Sequence, residues 1–163
     1  MPAARAPIRR RIPLTAARVT ALRDTEGFQH AKDDYWYRPL VFGDNLFSYV
    51  AHVPPGGDMP ADAEEAEEFE LSLFMLGGTL HVTYGQEQLD VTAGDSLFIP
   101  RGVAFGVRND TGEIGSFLLT FTPPPDIRSA DELRQRFIEK GRTVKSAAEM
   151  AAMVGSSPIP GNV

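Results

Sequence analysis

The chain has 163 residues, 42% hydrophobic and 23% charged, with a net charge of −6 and no cysteine. That length and composition support one folded domain with a substantial core and argue against a disordered chain or two full domains, while the missing cysteines exclude disulfides, thiolate metal centres and a cysteine nucleophile. Between residues 40 and 125 thirteen Asp and Glu face only Arg101 and Arg108, which argues against a nucleic-acid partner because counterion release needs clustered cations.

Residues 1–39 read as an N-terminal arm followed by a pre-barrel strand. The start "MPAARAPIRRRIPLTAARVTALRD" has no apolar core of the kind a secretory signal needs, and no apolar run approaches a membrane span. A cytoplasmic protein is therefore expected, with the arm, including Arg9, Arg10 and Arg11, lying on a partner subunit. In "FQHAKDDYWY", His30 is read as structural. Tyr35, Trp36 and Tyr37 offer rings for stacking on a ligand, but a strand at a dimer interface accounts for them with fewer assumptions.

Residues 40–125 form a succession of short β-type segments with no sustained helical period. "NLFSYVAHV" runs into the turn "PPGGD", "FELSLFMLGGTLHVTY" carries a glycine pair, and "EQLDVTAGD" alternates before "SLFIPRG". Leu89 and Val91 share one face and Asp90 and Thr92 the other, so one side of that strand is wet. Pro54, Pro55 and Pro100 mark strand ends, since proline cannot donate to a ladder. Strands this short and evenly spaced predict a sandwich or a barrel.

Residues 126–163 change character. Ser129 stands three residues before Glu132, ahead of Leu133, Phe137 and Ile138, with Gly141 as the stop; Ser146, Glu149, Met150, Met153 and Gly155 repeat the device. Two short capped helices are predicted, docked on the barrel or on a second subunit.

With these turns placed, "GDSLFIPRGVAFGVRN", residues 94 to 109, resembles the second motif of the cupin family. Gly94, Pro100, Gly102 and Asn109 stand at the family's spacing, and Phe105 stands where the family carries a metal-binding histidine. The first motif, read literally from Gly57 to Gly77, places Ala63 and Glu65 at the two histidine positions and Glu70 at the glutamate. A one-residue slip closing on Gly78 suits the alternation of Leu71, Leu73 and Met75, and puts Glu65 and Glu67 at the histidines and Leu71 at the glutamate. Both registers stay open at this point. The resemblance covers residues 40 to 122 and implies an all-β fold, a single cupin-type jelly-roll β-barrel with a cavity at one end, commonly dimeric. It does not choose a reaction, because fold and function separate.

A typical cupin centre holds iron, manganese, nickel or zinc through imidazoles and one carboxylate. Here the resemblance implies that this set is replaced: Phe105, with Phe98 and Phe121, would form an apolar wall, and Glu65, Glu67, Glu70 and His52 the polar, catalytic groups. Phe98 and Phe121 also fit a plain core role. His52 ends a strand that in cupins runs beside the first motif, whereas His81 faces away from Leu80 and Val82. The run "DAEEAEEFE", residues 62 to 70, is either a solvated acidic loop or a crowd of carboxylates that binds a hard cation or raises one pKa.

No cofactor is expected; a divalent metal, if bound, would use Glu65, Glu67, Glu70 and His52. Nucleophile-elbow, phosphate-loop and dinucleotide motifs are absent. Three readings follow: a small-molecule enzyme of isomerase, cyclase or lyase type using acid–base chemistry, a metal-dependent dioxygenase with a carboxylate/His site, and a non-catalytic ligand-binding module. The partners expected are a small-molecule ligand and a second copy of the chain, with no membrane.

Overall fold

The computed structural model describes residues 16–29, 31, 34–61 and 68–155. His30, Glu65 and Glu67 lie outside the described residues.

Period-two alternation sets which side each strand buries. In Glu70–Gly77 the side chains of Leu71, Leu73 and Met75 are buried while Glu70, Ser72 and Phe74 are exposed. The strands are β1 (Gly27–Gln29), β2 (Trp36–Phe42), β3 (Phe47–Val53), β4 (Asp58–Met59), β5 (Glu70–Gly77), β6 (Thr79–Tyr84), β7 (Glu87–Thr92), β8 (Ser96–Ile99), β9 (Phe105–Arg108), β10 (Gly115–Thr122) and β11 (Thr143–Lys145). They form a seven-stranded sheet in the order β11-β1-β2-β3-β10-β5-β8 and a four-stranded sheet in the order β4-β9-β6-β7, with antiparallel ladders throughout. This is the all-β jelly roll expected from the sequence.

The core lies between the two sheets: Ala51, Leu73, Met75, Phe117 and Leu119 from the larger meet Leu80, Val82, Val91 and Val107 from the smaller. Burying each such side chain contributes about 1.5–3 kcal/mol for the larger ones. The sheets approach so closely at Gly115 that a Cβ there would stand 2.5 Å from a Leu80 methyl, which explains the glycine.

The motif residues that suggested the fold are explained by backbone needs. Gly94 and Gly102 adopt φ of 94° and 90°, which favours glycine at those turns. Asn109 is buried; its Nδ2 donates to the carbonyls of Val53 (2.8 Å) and Glu113 (2.6 Å), and its Oδ1 accepts from Thr111 N and Oγ1. Its backbone N donates to Gly57 O, and Gly56 N donates to Asn109 O, tying the "PPGGD" turn to the loop before β10. One buried amide thus satisfies several backbone groups that water cannot reach.

Two helices follow the barrel, α1 (Ala130–Glu139) and α2 (Ala147–Val154). Ser129 caps the first by accepting from Glu132 N at 3.1 Å, and Ser146 with Glu149 forms a full capping box on the second. Between them β11 pairs with β1 at the end of the large sheet. No helix among the described residues is long and apolar enough to cross a membrane.

Candidate functional site

The inner face of the large sheet carries an unbroken chain of rings. Cross-strand partners share a face: Phe47 sits opposite Phe121, Tyr49 opposite Leu119, and Tyr37 opposite the core residue Ala51. Ring centroids step from Tyr35 to Tyr37 (5.9 Å), Tyr37 to Tyr49 (5.0 Å), Tyr49 to Phe121 (6.2 Å) and Phe121 to Phe69 (5.1 Å). Such tilted and edge-on contacts at 4.5–7 Å hold aromatic side chains in fixed orientations.

This wall bounds a cavity of about 780 Å³. Met59, Val103, Ala104 and Phe105 line the side formed by β4, β9 and the turn before β9, and helix α1 closes a third side. Leu71, on β5, lies in the same wall. The β5 alternation therefore agrees with the register that puts Leu71, rather than Glu70, at the inward position of the first motif.

The sequence-derived candidates separate in space. Phe105 and Phe121 line the cavity. Phe98 does not: it is 60% exposed on the outer face of β8, because Leu97 and Ile99 take the inward positions of that four-residue strand. Glu70 is exposed on the outer side of β5, for the same reason of alternation. His52 shares the outward face of β3 with Ser48 and Val50, opposite Trp36 and Ser116.

That outward face is nonetheless covered, and His52 is wholly buried. Arg38, beside it on β2, is held by Thr25 Oγ1 (2.8 Å) and the Leu22 carbonyl (2.6 Å), which fold the segment before β1 over the sheet. His52 Nδ1 lies 2.8 Å from Ser116 Oγ, and its Nε2 has no partner among the described residues. Burial, with the nearby Arg38 charge as a second cause, lowers its pKa from 6.5 to about 3. His52 is not among the residues that line the cavity. His81 behaves as the sequence suggests, with Nδ1 2.9 Å from Asp90 and Nε2 3.2 Å from Gln88 on the outer side of the small sheet.

The cavity brings together residues that sequence reasoning passed over. Asp34 lines it, accepting from Tyr35 N at 2.7 Å. Burial raises its carboxyl pKa, the backbone bond opposes the rise, and Asp58 across an isolated bridge adds to it. Tyr37 is raised well above the ordinary phenol range, by burial first and by Tyr35 second. Helix α1 presents Leu133, Arg136, Phe137 and Lys140 to the cavity, and Arg142 follows from the turn after it. The spacing i, i+3, i+4, i+7 was visible in the sequence as one stripe, but amphipathicity alone left open whether the stripe meets the barrel or a second subunit.

As for a metal, the described cavity wall supplies one carboxylate, three cations and no imidazole. Among the described residues no group of three or more His, Asp or Glu could hold a metal ion. The described donor set does not fit a divalent cation, since hard cations need several oxygen ligands and transition metals favour imidazole.

Residues 49–121 match the family model described as "Cupin domain". A comparison with curated proteins returns no match. Among solved structures, the fold is similar to an RmlC-like cupin from Shewanella frigidimarina, at 21% identity over 68% of this chain and 95% of that one, with a TM-score of 0.59. It is also similar to KdgF from Halomonas sp. (14% identity, 61% and 87% covered, TM-score 0.55) and to a protein called TT1209 from Thermus thermophilus (21%, 60% and 90%, 0.54). Turn residues, strand order and the family match converge on one barrel, and residues 49–121 match a cupin domain.

Proposed function

We propose that the barrel binds a small organic molecule and acts on it by acid–base chemistry of isomerase, cyclase or lyase type, without the imidazole metal centre. The cavity of about 780 Å³ carries this reading; small-molecule sites occupy roughly 300–1,000 Å³ and combine an apolar lining with a few convergent polar groups. Asp34 is the acid–base group, in place of His52 and Glu70, which the fold turns away. A carboxyl whose pKa burial raises is a stronger base than an exposed carboxylate, which suits it to take a proton from carbon and return it. Phe105, Phe121 and Leu119 bind the body of the ligand through apolar contact.

Thermal denaturation against a panel of small carboxylic and carbonyl compounds tests the binding half. A ligand present at about 100 times its Kd stabilises by about 2.7 kcal/mol. For a hit, solvent deuterium incorporation followed by NMR tests the chemistry: wild type incorporates, Asp34→Asn binds but does not. Equal incorporation by both proteins would remove Asp34 from the mechanism, and ligand binding with no incorporation or turnover by wild type would leave a binding module.

A further inference from the structure

The aromatic wall extends from Phe69 to Tyr35 and meets a cationic side of the cavity at helix α1. Phe137 is the joint: its ring stands 6.0 Å from Tyr37 and 5.2 Å from Phe28, and the Arg142 guanidinium lies 5.5 Å over it. The Arg142 charge also acts on the Tyr37 phenol, which places the two within electrostatic reach. Arg136 is positioned by Glu132 Oε1 (3.1 Å) and the Asp126 carbonyl (2.8 Å). A guanidinium has five N–H donors, so these two contacts leave donors to spare. Lys140 makes no ion pair with any described residue.

Among the described residues, three cations against one carboxylate on the cavity is the reverse of the whole chain, whose net charge is −6. The barrel residues 40–125 hold only Arg101 and Arg108, neither of which lines the cavity. Among the described residues, every cation on the cavity is delivered by the C-terminal segment. Cations in the last turn of a helix are favoured by its dipole, but the dipole acts equally on all faces. It does not explain why Arg136 and Lys140 occupy the stripe of Leu133 and Phe137 that meets the cavity.

We infer that the ligand is an amphipathic organic anion, with a planar or branched apolar body against the rings of Tyr49 and Phe121 and a single carboxylate held by Lys140, Arg142 and Arg136. This rests on the small-molecule reading of the cavity and narrows its substrate class. Charge-assisted hydrogen bonds to a carboxylate are the strong ones, and arginine's planar fork matches carboxylate geometry. Bound this way, the carboxylate end lies on the side of Tyr37.

The test is calorimetric titration of the full chain with 2-naphthoate and with its neutral counterpart, 2-naphthalenemethanol. Naphthoate is expected to bind one per chain and at least roughly tenfold more tightly, as one charged hydrogen bond confers. Raising salt from about 50 to about 500 mM should shrink that advantage, since the cations are partly exposed. Lys140→Met with Arg142→Met should cut it to what Arg136 alone supplies, and Arg142→Lys should keep most of it. Equal binding of acid and alcohol, or an advantage undiminished in the double variant, overturns the anion assignment and leaves the small-molecule reading intact. Binding of neither probe, with no thermal shift at millimolar concentration, overturns the small-molecule reading and the assignment together.

Discussion

His52 allows a quantitative prediction about acid stability. In the unfolded chain its imidazole has a pKa near 6.5, and in the folded protein burial and Arg38 lower it to about 3. The folded state therefore excludes a proton that the unfolded state takes up. The associated stability is fully present above pH 6.5 and is lost as pH falls from there toward about 3. Each pH unit in that window costs at most about 1.4 kcal/mol, so descending to about pH 4.5 removes about 3 kcal/mol, a large share of an ordinary domain's 5–15 kcal/mol. The replacement His52→Gln keeps a polar atom for Ser116 Oγ and cannot titrate. Urea denaturation from about pH 8 to about pH 4 should give a wild-type stability curve steeper than that of His52→Gln by close to one proton, while carboxylates elsewhere contribute equally to both and cancel. Parallel curves, or an NMR titration of the native His52 ring with a midpoint near 6.5, would refute the reasoning.

Phe117 is completely buried and Phe98 is 60% exposed; Phe117→Ala should cost about 3–5 kcal/mol in chemical denaturation and Phe98→Ala less than about 0.5 kcal/mol. Asn109→Ala removes the side-chain bonds to the Val53 and Glu113 carbonyls, so it should lower stability by about 2–4 kcal/mol and, by hydrogen exchange, loosen the loop before β10 first.

Much of the fold was legible because it is written in local rules. The β5 segment alternates so strictly that its buried face is Leu71, Leu73 and Met75, with Glu70 turned outward. Phe98 was open to the same argument, since Leu97 and Ile99 flank it; its aromatic character drew it to the cavity wall against its parity. Both capped helices follow from Ser129 with Glu132 and Ser146 with Glu149, where side chain and backbone meet within four residues. β1 and β11 were missed, because three residues carry no period and form a ladder only with strands far away in the chain.

The site was far less legible. Every residue of "FSYVAHV" is buried in β3, so apolar pattern gave no hint of which face His52 takes; that was settled by the segment around Thr25 folding over the outer side and by Ser116 across the ladder. Asp34 and the cations of α1 lie far apart in the chain and share a wall only because β2, β4 and α1 converge at one end of the barrel.

The order of residues by itself determined the barrel: turns, caps and alternation act over two to four residues, and each segment carries its own instruction. Which side chains share one chamber was decided only by the closed tertiary structure, because a cavity wall is assembled from whichever ends of distant strands and helices are brought together, and no local spacing records that meeting.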